Sequence, residues 1–186
     1  MDSRKAEFAI LKVAFLLTAL DGHIDESERE MFEKLTQRCR EVDIGQAKVV
    51  LEEMDQATKR LLAMKSGKTD SAFLKIFLRE VDAVCDWEAF VKDSARVRRA
   101  FLMWTAMAKA DRDYSAIERK AMALLVKKVN SYPLIDEEFL MAAEKGVGKM
   151  LDLDIAIVEA SDLATSKKLH ESQKSVLAEL VSLVNG

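Results

Sequence analysis

An all-α protein is what these 186 residues encode, and three features say so. Six glycines and one proline are too few turn formers for a many-stranded β fold, while the helix formers Ala, Leu, Lys, Glu and Met are plentiful. Apolar residues recur at helical spacing, as in Phe73, Leu74, Phe77, Leu78, Val81 and Val84. Capping residues stand at regular intervals between such runs. The expected architecture is a single compact bundle of eight to nine helices built from a duplicated four-helix unit. One domain covers residues 1–186, with repeats at about 3–85 and 93–185.

The first helix is expected from about Ser3 to Leu20, ending at Asp21-Gly22, where glycine takes the left-handed conformation that stops a helix. Asp25 and Glu28 form a capping box that opens the second helix, to about Arg40. Asp43 with Gln46 opens the third, which Ser66-Gly67 ends, and Asp70 caps the fourth. The segment from Asp86 to Lys92 has no clear pattern. Asp93 caps a fifth helix through Ala110, and Ser115 with Glu118 opens a sixth through about Val129. Asn130-Ser131-Tyr132-Pro133 is a break. Asp136 opens a seventh helix, an eighth lies within 152–165, and Ser166 caps the last.

Composition excludes several function classes. With 49% hydrophobic residues and a net charge of −3, the chain has neither the low hydrophobicity nor the charge excess that disorder needs. Lys and Arg total 29 against 32 Asp and Glu, so nothing draws the whole molecule to nucleic acid. Two cysteines far apart, Cys39 and Cys85, read as buried thiols in a reducing compartment rather than as a disulfide framework. Only His23 and His170 are available, too few for a zinc site of His and Cys. The run from Phe8 to Leu20 follows Arg4 and Lys5 as a signal peptide's would. Asp2, Glu7 and Lys12 interrupt that pattern, and thirteen residues cannot span a bilayer, so a buried first helix in a cytoplasmic protein is expected.

A shift of ninety residues lays the first two helices on the fifth and sixth. Leu11 meets Phe101, Leu17 meets Met107, Asp21 meets Asp111, Asp25 meets Ser115, Glu28 meets Glu118 and Leu35 meets Leu125. Capping explains the aligned Asp25 and Glu28. It does not require the aspartate at the same place in both copies. The helices that precede these loops are apolar almost all round, which places them together at the centre.

Asp21 and Asp111 sit at helix C-termini, where the macrodipole is negative and a carboxylate costs about 0.3–1 kcal/mol. A lysine or arginine, the N–H groups of the next helix, or a cation must compensate. Turn bonding and metal ligation both remain open for these two aspartates. A standard EF-hand does not: its first and third ligand positions fall on Leu17 and Ala19 in one copy and on Met107 and Lys109 in the other.

The two stretches Ala19-Leu20-Asp21-Gly22-His23-Ile24-Asp25 through Glu28, and Ala108-Lys109-Ala110-Asp111-Arg112-Asp113-Tyr114-Ser115 through Glu118, resemble the TerB-like (tellurite-resistance B) family. The resemblance implies an all-helical fold in which Asp21, Asp25, Glu28, Asp111, Asp113 and Glu118 gather into a divalent-metal site. Ca²⁺ or Mg²⁺ suits such an all-oxygen donor set. It also implies a role in stress or chemical resistance within protein assemblies at the inner membrane face, without catalysis. Arg112 departs from the family's glycine, which puts a symmetric pair of sites in doubt.

The remaining features are weaker. Gly146-Val147-Gly148-Lys149 lacks the spacing, the hydroxyl and the preceding strand of a phosphate loop, so it is expected to end or kink a helix. Lys92, Arg96, Arg98 and Arg99 form a basic cluster diluted by Asp86, Glu88 and Asp93. It reads as a solvated face, with an acidic partner or anionic lipid as the alternative. Nothing assembles a nucleophile, a base and an oxyanion donor. The expectation is therefore a non-enzymatic helical interaction domain that binds protein partners, with no nucleic acid and no transmembrane segment. A metal-dependent enzyme with carboxylate ligands, and a metal-free adaptor or inhibitor, stay open beside it.

Overall fold

The computed structural model describes residues 3–20, 26–38, 44–65, 67–111, 114–129 and 135–185. Among these residues there are nine helices and no strand. They are α1 (Ser3–Thr18), α2 (Glu26–Arg38), α3 (Ile44–Lys65), α4 (Asp70–Val84), α5 (Trp87–Phe90), α6 (Ser94–Ala108), α7 (Ala116–Val129), α8 (Glu137–Glu159) and α9 (Leu163–Asn185). The all-α bundle expected from composition and periodicity is what forms.

Helices with no polar face have to be surrounded, and α1 and α6 are. From Ala9 to Leu20 nearly every residue is buried, as are Val97, Ala100, Phe101, Trp104 and Met107. The two helices pack on each other. Trp104 fastens them, its indole N–H donating to the Ile10 carbonyl at 3.0 Å while its ring meets Phe101 edge-on at 4.9 Å and stacks on Phe90 at 6.0 Å. The buried hydroxyls of Thr18 and Thr105 donate to the carbonyls of Phe15 and Phe101 in their own helices, so neither is left unsatisfied in the core.

Around this pair, α1 touches α2, α3 and α4, and α6 touches α7, α8 and α9. The side helices attach by one apolar face each. On α4 that face is Phe73, Leu74, Phe77 and Val81, and α4 also packs against α7. Ion pairs of Lys120 with Asp70 and of Lys128 with Asp82 run along the α4–α7 seam. α8 and α9 form the longest hairpin, with Gln173 donating to Asp154 at 2.6 Å.

Several helix starts are where the sequence places them. Asp93 accepts from Arg96 N, and Asp136 from Phe139 N. Ser115 and Glu118 make the reciprocal box: the Ser115 N–H donates to the Glu118 carboxylate at 2.7 Å, and the Glu118 N–H to the Ser115 hydroxyl at 3.3 Å. The third helix does stop before Gly67, whose φ of +72° closes the turn from Lys65 to Lys68. The expected caps Asp25 and Asp43, the Asp21-Gly22 stop and the 130–133 break lie outside the described residues.

Four expectations need correction. Thr69, not Asp70, caps α4, and Asp70 is its first residue, where an acid favours the dipole. The unassigned segment forms the short helix α5, capped by Asp86. The expected seventh and eighth helices are one: α8 runs unbroken through Gly146 and Gly148. The physical reason is Leu180 of α9, whose Cδ2 would lie 2.5 Å from a Cβ at Gly146. Leu180 thus packs into the space that the missing side chain leaves, and α9 lies along the helix at that point. Finally, α9 starts at Leu163 rather than at Ser166, because Asp162 accepts from Thr165 N at 2.8 Å. That bond holds the Asp162 carboxyl below the usual carboxylate range.

Candidate functional site

Of the six acidic residues assigned to the loops, Asp21, Asp25 and Asp113 lie outside the described residues. Glu28 and Glu118 are buried at the first turns of α2 and α7, and Asp111 is half-buried just after α6. Glu118 is engaged as the capping partner of Ser115. Among the described residues no group of three or more His, Cys, Asp or Glu is placed to hold a metal ion.

Cationic side chains lie beside both inter-helix loops. The Lys65 ammonium donates to the Leu20 carbonyl at 2.7 Å, beyond the end of α1. In the second loop, Lys109 and Arg119 lie over the Tyr114 ring at 5.6 and 5.1 Å, and Arg119 also donates to the Tyr114 carbonyl. Burial, reinforced by Glu144 and Glu118 and opposed by Arg119, pushes the Tyr114 phenol up to about 12.

A different feature stands out between α2, α6, α8 and α9, where a groove of about 590 Å³ opens. Leu102, Met103 and Ala106 of α6 line it, together with Met31 and Leu35 of α2, Val147, Met150 and Leu151 of α8, and Leu177, Leu180, Val181 and Val184 of α9. A size between 300 and 1,000 Å³ and a mostly apolar wall are what small-ligand and side-chain pockets have. Leu177 and Val181 are 40% and 52% exposed, so this wall faces water rather than a neighbouring helix.

Charged residues sit at its edges in opposite pairs. Arg99 donates to Glu7, whose side chain is 6% exposed, and Arg96 meets Asp93 at 3.2 Å. Lys34 of α2 faces Asp154 of α8 at 3.8 Å. Three members of the basic cluster are therefore engaged within the protein, since Arg98 in turn lies 5.9 Å from the Phe139 ring. Among the described residues no His, Cys, Ser, Thr or Tyr lines the groove. Cys85, at the end of α4, is buried, and burial together with Asp86 and Asp82 pushes its thiol up to about 12, which keeps it protonated and inert.

Sequence reasoning did not find this groove. Its one signal was the last helix, where Val176, Leu177, Leu180, Val181, Leu183 and Val184 make an apolar band wider than a single neighbour can cover. Among the described residues no helix is long and apolar enough to cross a membrane. Comparison with protein-family models, with curated proteins and with solved structures finds no match.

Proposed function

We propose that the chain is a non-enzymatic helical interaction domain that receives its partner in the groove between α2, α6, α8 and α9. The single observation that carries this reading is an open apolar wall of about 590 Å³ whose edge charges are already paired. Apolar surface left facing water in a folded domain marks a place where something binds. Paired charges, and a wall that among the described residues carries no nucleophilic side chain, favour holding over chemistry, because catalysis needs a base and a nucleophile free to act. Membership of a stress or chemical-resistance system of the tellurite type rests on the resemblance of the two acidic hairpins alone.

The test is a titration with the neutral apolar fluorophore N-phenyl-1-naphthylamine. Wild type is expected to bind it saturably at one site. The double variant Leu177→Glu/Val181→Glu is expected to bind at least about tenfold more weakly, at an unchanged melting temperature because both positions are exposed. Equal binding by the two proteins, or no saturation in wild type, overturns the reading.

A further inference from the structure

We infer that the occupant of this groove is an amphipathic helix of a partner protein, an inference that rests on the reading just given. Its length fits. From Ala95 to Ala106 the groove follows α6 over twelve residues, about 16 Å from first to last at 1.5 Å per step, which is three turns of a helix laid alongside. Such a helix presents apolar side chains at i, i+3 or i+4, and i+7, one for each turn of the wall.

The wall chemistry fits as well. Met31, Met103 and Met150 come from three different helices, and flexible thioether side chains adapt to a row of bulky apolar anchors. The edges select among apolar occupants. Each carries both signs, Lys34 with Asp154 on one side and Arg96 and Arg99 with Asp93 and Glu7 on the other. A helix whose flanks are polar but carry no net charge suits such edges, because their charges already neutralise one another. A fatty-acid anion needs an uncompensated cation, and both guanidiniums at the α6 end already hold carboxylates.

Random 16-residue peptides displayed on phage provide the test, selected on the full chain and counter-selected on Leu177→Glu/Val181→Glu. The retained sequences are expected to carry large apolar residues at i, i+3 or i+4, and i+7. They should displace N-phenyl-1-naphthylamine from wild type and bind the double variant at least about tenfold more weakly. Leu102→Trp, which fills the groove from its floor, should weaken them similarly while the circular dichroism spectrum is kept. Retained sequences without helical spacing overturn the inference. So does displacement of the dye by dodecanoate but by no helix-spaced peptide, and so does a dimer in sedimentation velocity that the double variant dissolves, since a second copy then fills the groove. In these three cases the dye still binds and only the helix falls; absence of dye binding overturns the groove reading itself.

Discussion

In the first four-helix set, α4 lies against both α1 and α7, with Phe73, Leu74, Phe77 and Val81 buried and two lysines of α7 reaching aspartates at its ends. In the second, α9 lies against α6 and α8, and across from it α2 forms the opposite wall of the groove. α9 is longer, 23 residues against 15, yet Val176 is its one buried residue. The lysine of α2 that faces the second set, Lys34, reaches Asp154 on α8 rather than any residue of α9. The difference teaches that two core helices with similar surroundings do not fix how their outermost helices close. A core helix and a capped hairpin set where the side helices attach, and the side helices' own apolar faces decide whether the seam closes.

Truncations on the two closing helices should expose that contrast most strongly. Phe77 is fully buried, so Phe77→Ala is expected to cost about 3–5 kcal/mol through lost burial and the cavity left behind. Val176→Ala, at the corresponding seam of the second set, should cost roughly 1–2 kcal/mol. Urea unfolding measures both. Equal losses would mean that α9 is held as firmly as α4 and that the open wall is closed in solution.

Thiol chemistry sharpens the comparison through pH. Cys85 ends α4 in the closed set, and its thiol is raised from 9.0 to about 12 by burial, then by Asp86 and Asp82. The unfolded chain loses this proton above pH 9 and the native chain keeps it. The associated stability is therefore complete below pH 9 and is lost as pH rises from 9 to 12, by at most about 1.4 kcal/mol per pH unit. Tyr114, also raised to about 12, adds in the same direction from pH 10 upward. In a Cys39→Ser background, maleimide labelling of native Cys85 at pH 8.5 is expected to be at least about a hundredfold slower than labelling of Leu177→Cys in a background lacking both native cysteines. Similar rates would show that the end of α4 is as open to solvent as the groove wall of α9.

Much of the fold was legible because its rules are local. A carboxylate or hydroxyl three residues ahead of an unpaired N–H is visible in sequence, so Asp93, Ser115 with Glu118, and Asp136 could be placed as caps. The all-round apolar character of Phe8–Leu20 and Val97–Ala110 likewise marked the central pair. What failed depended on distant neighbours. Gly146 and Gly148 look like helix stops until Leu180, thirty-four positions away in the chain, is seen lying on the first of them. Glu7 read as an interruption in an apolar run and is instead the buried partner of Arg99, ninety-two residues on. The groove was illegible for the same reason: its walls come from four helices, and no spacing within one of them encodes a gap between them.

The smallest expected effect lies in those two glycines. At Gly148 an added Cβ meets nothing within 4 Å, so Gly148→Ala should stabilise the chain by about 1 kcal/mol, the usual difference between these residues within a helix. The same exchange at Gly146 starts with the same propensity gain but drives a methyl group to 2.5 Å from Leu180 Cδ2. That atom is the end of a flexible side chain which also lines the groove, so the leucine can move at modest cost, and the space open to it is the groove. Gly146→Ala should therefore be close to neutral in melting temperature while weakening N-phenyl-1-naphthylamine binding, and Gly148→Ala should raise the melting temperature and leave binding unchanged. Two glycines one residue apart would then separate the propensity of α8 from its contact with α9. Identical behaviour of the two variants would show that Leu180 does not sit where it couples the hairpin to the open wall.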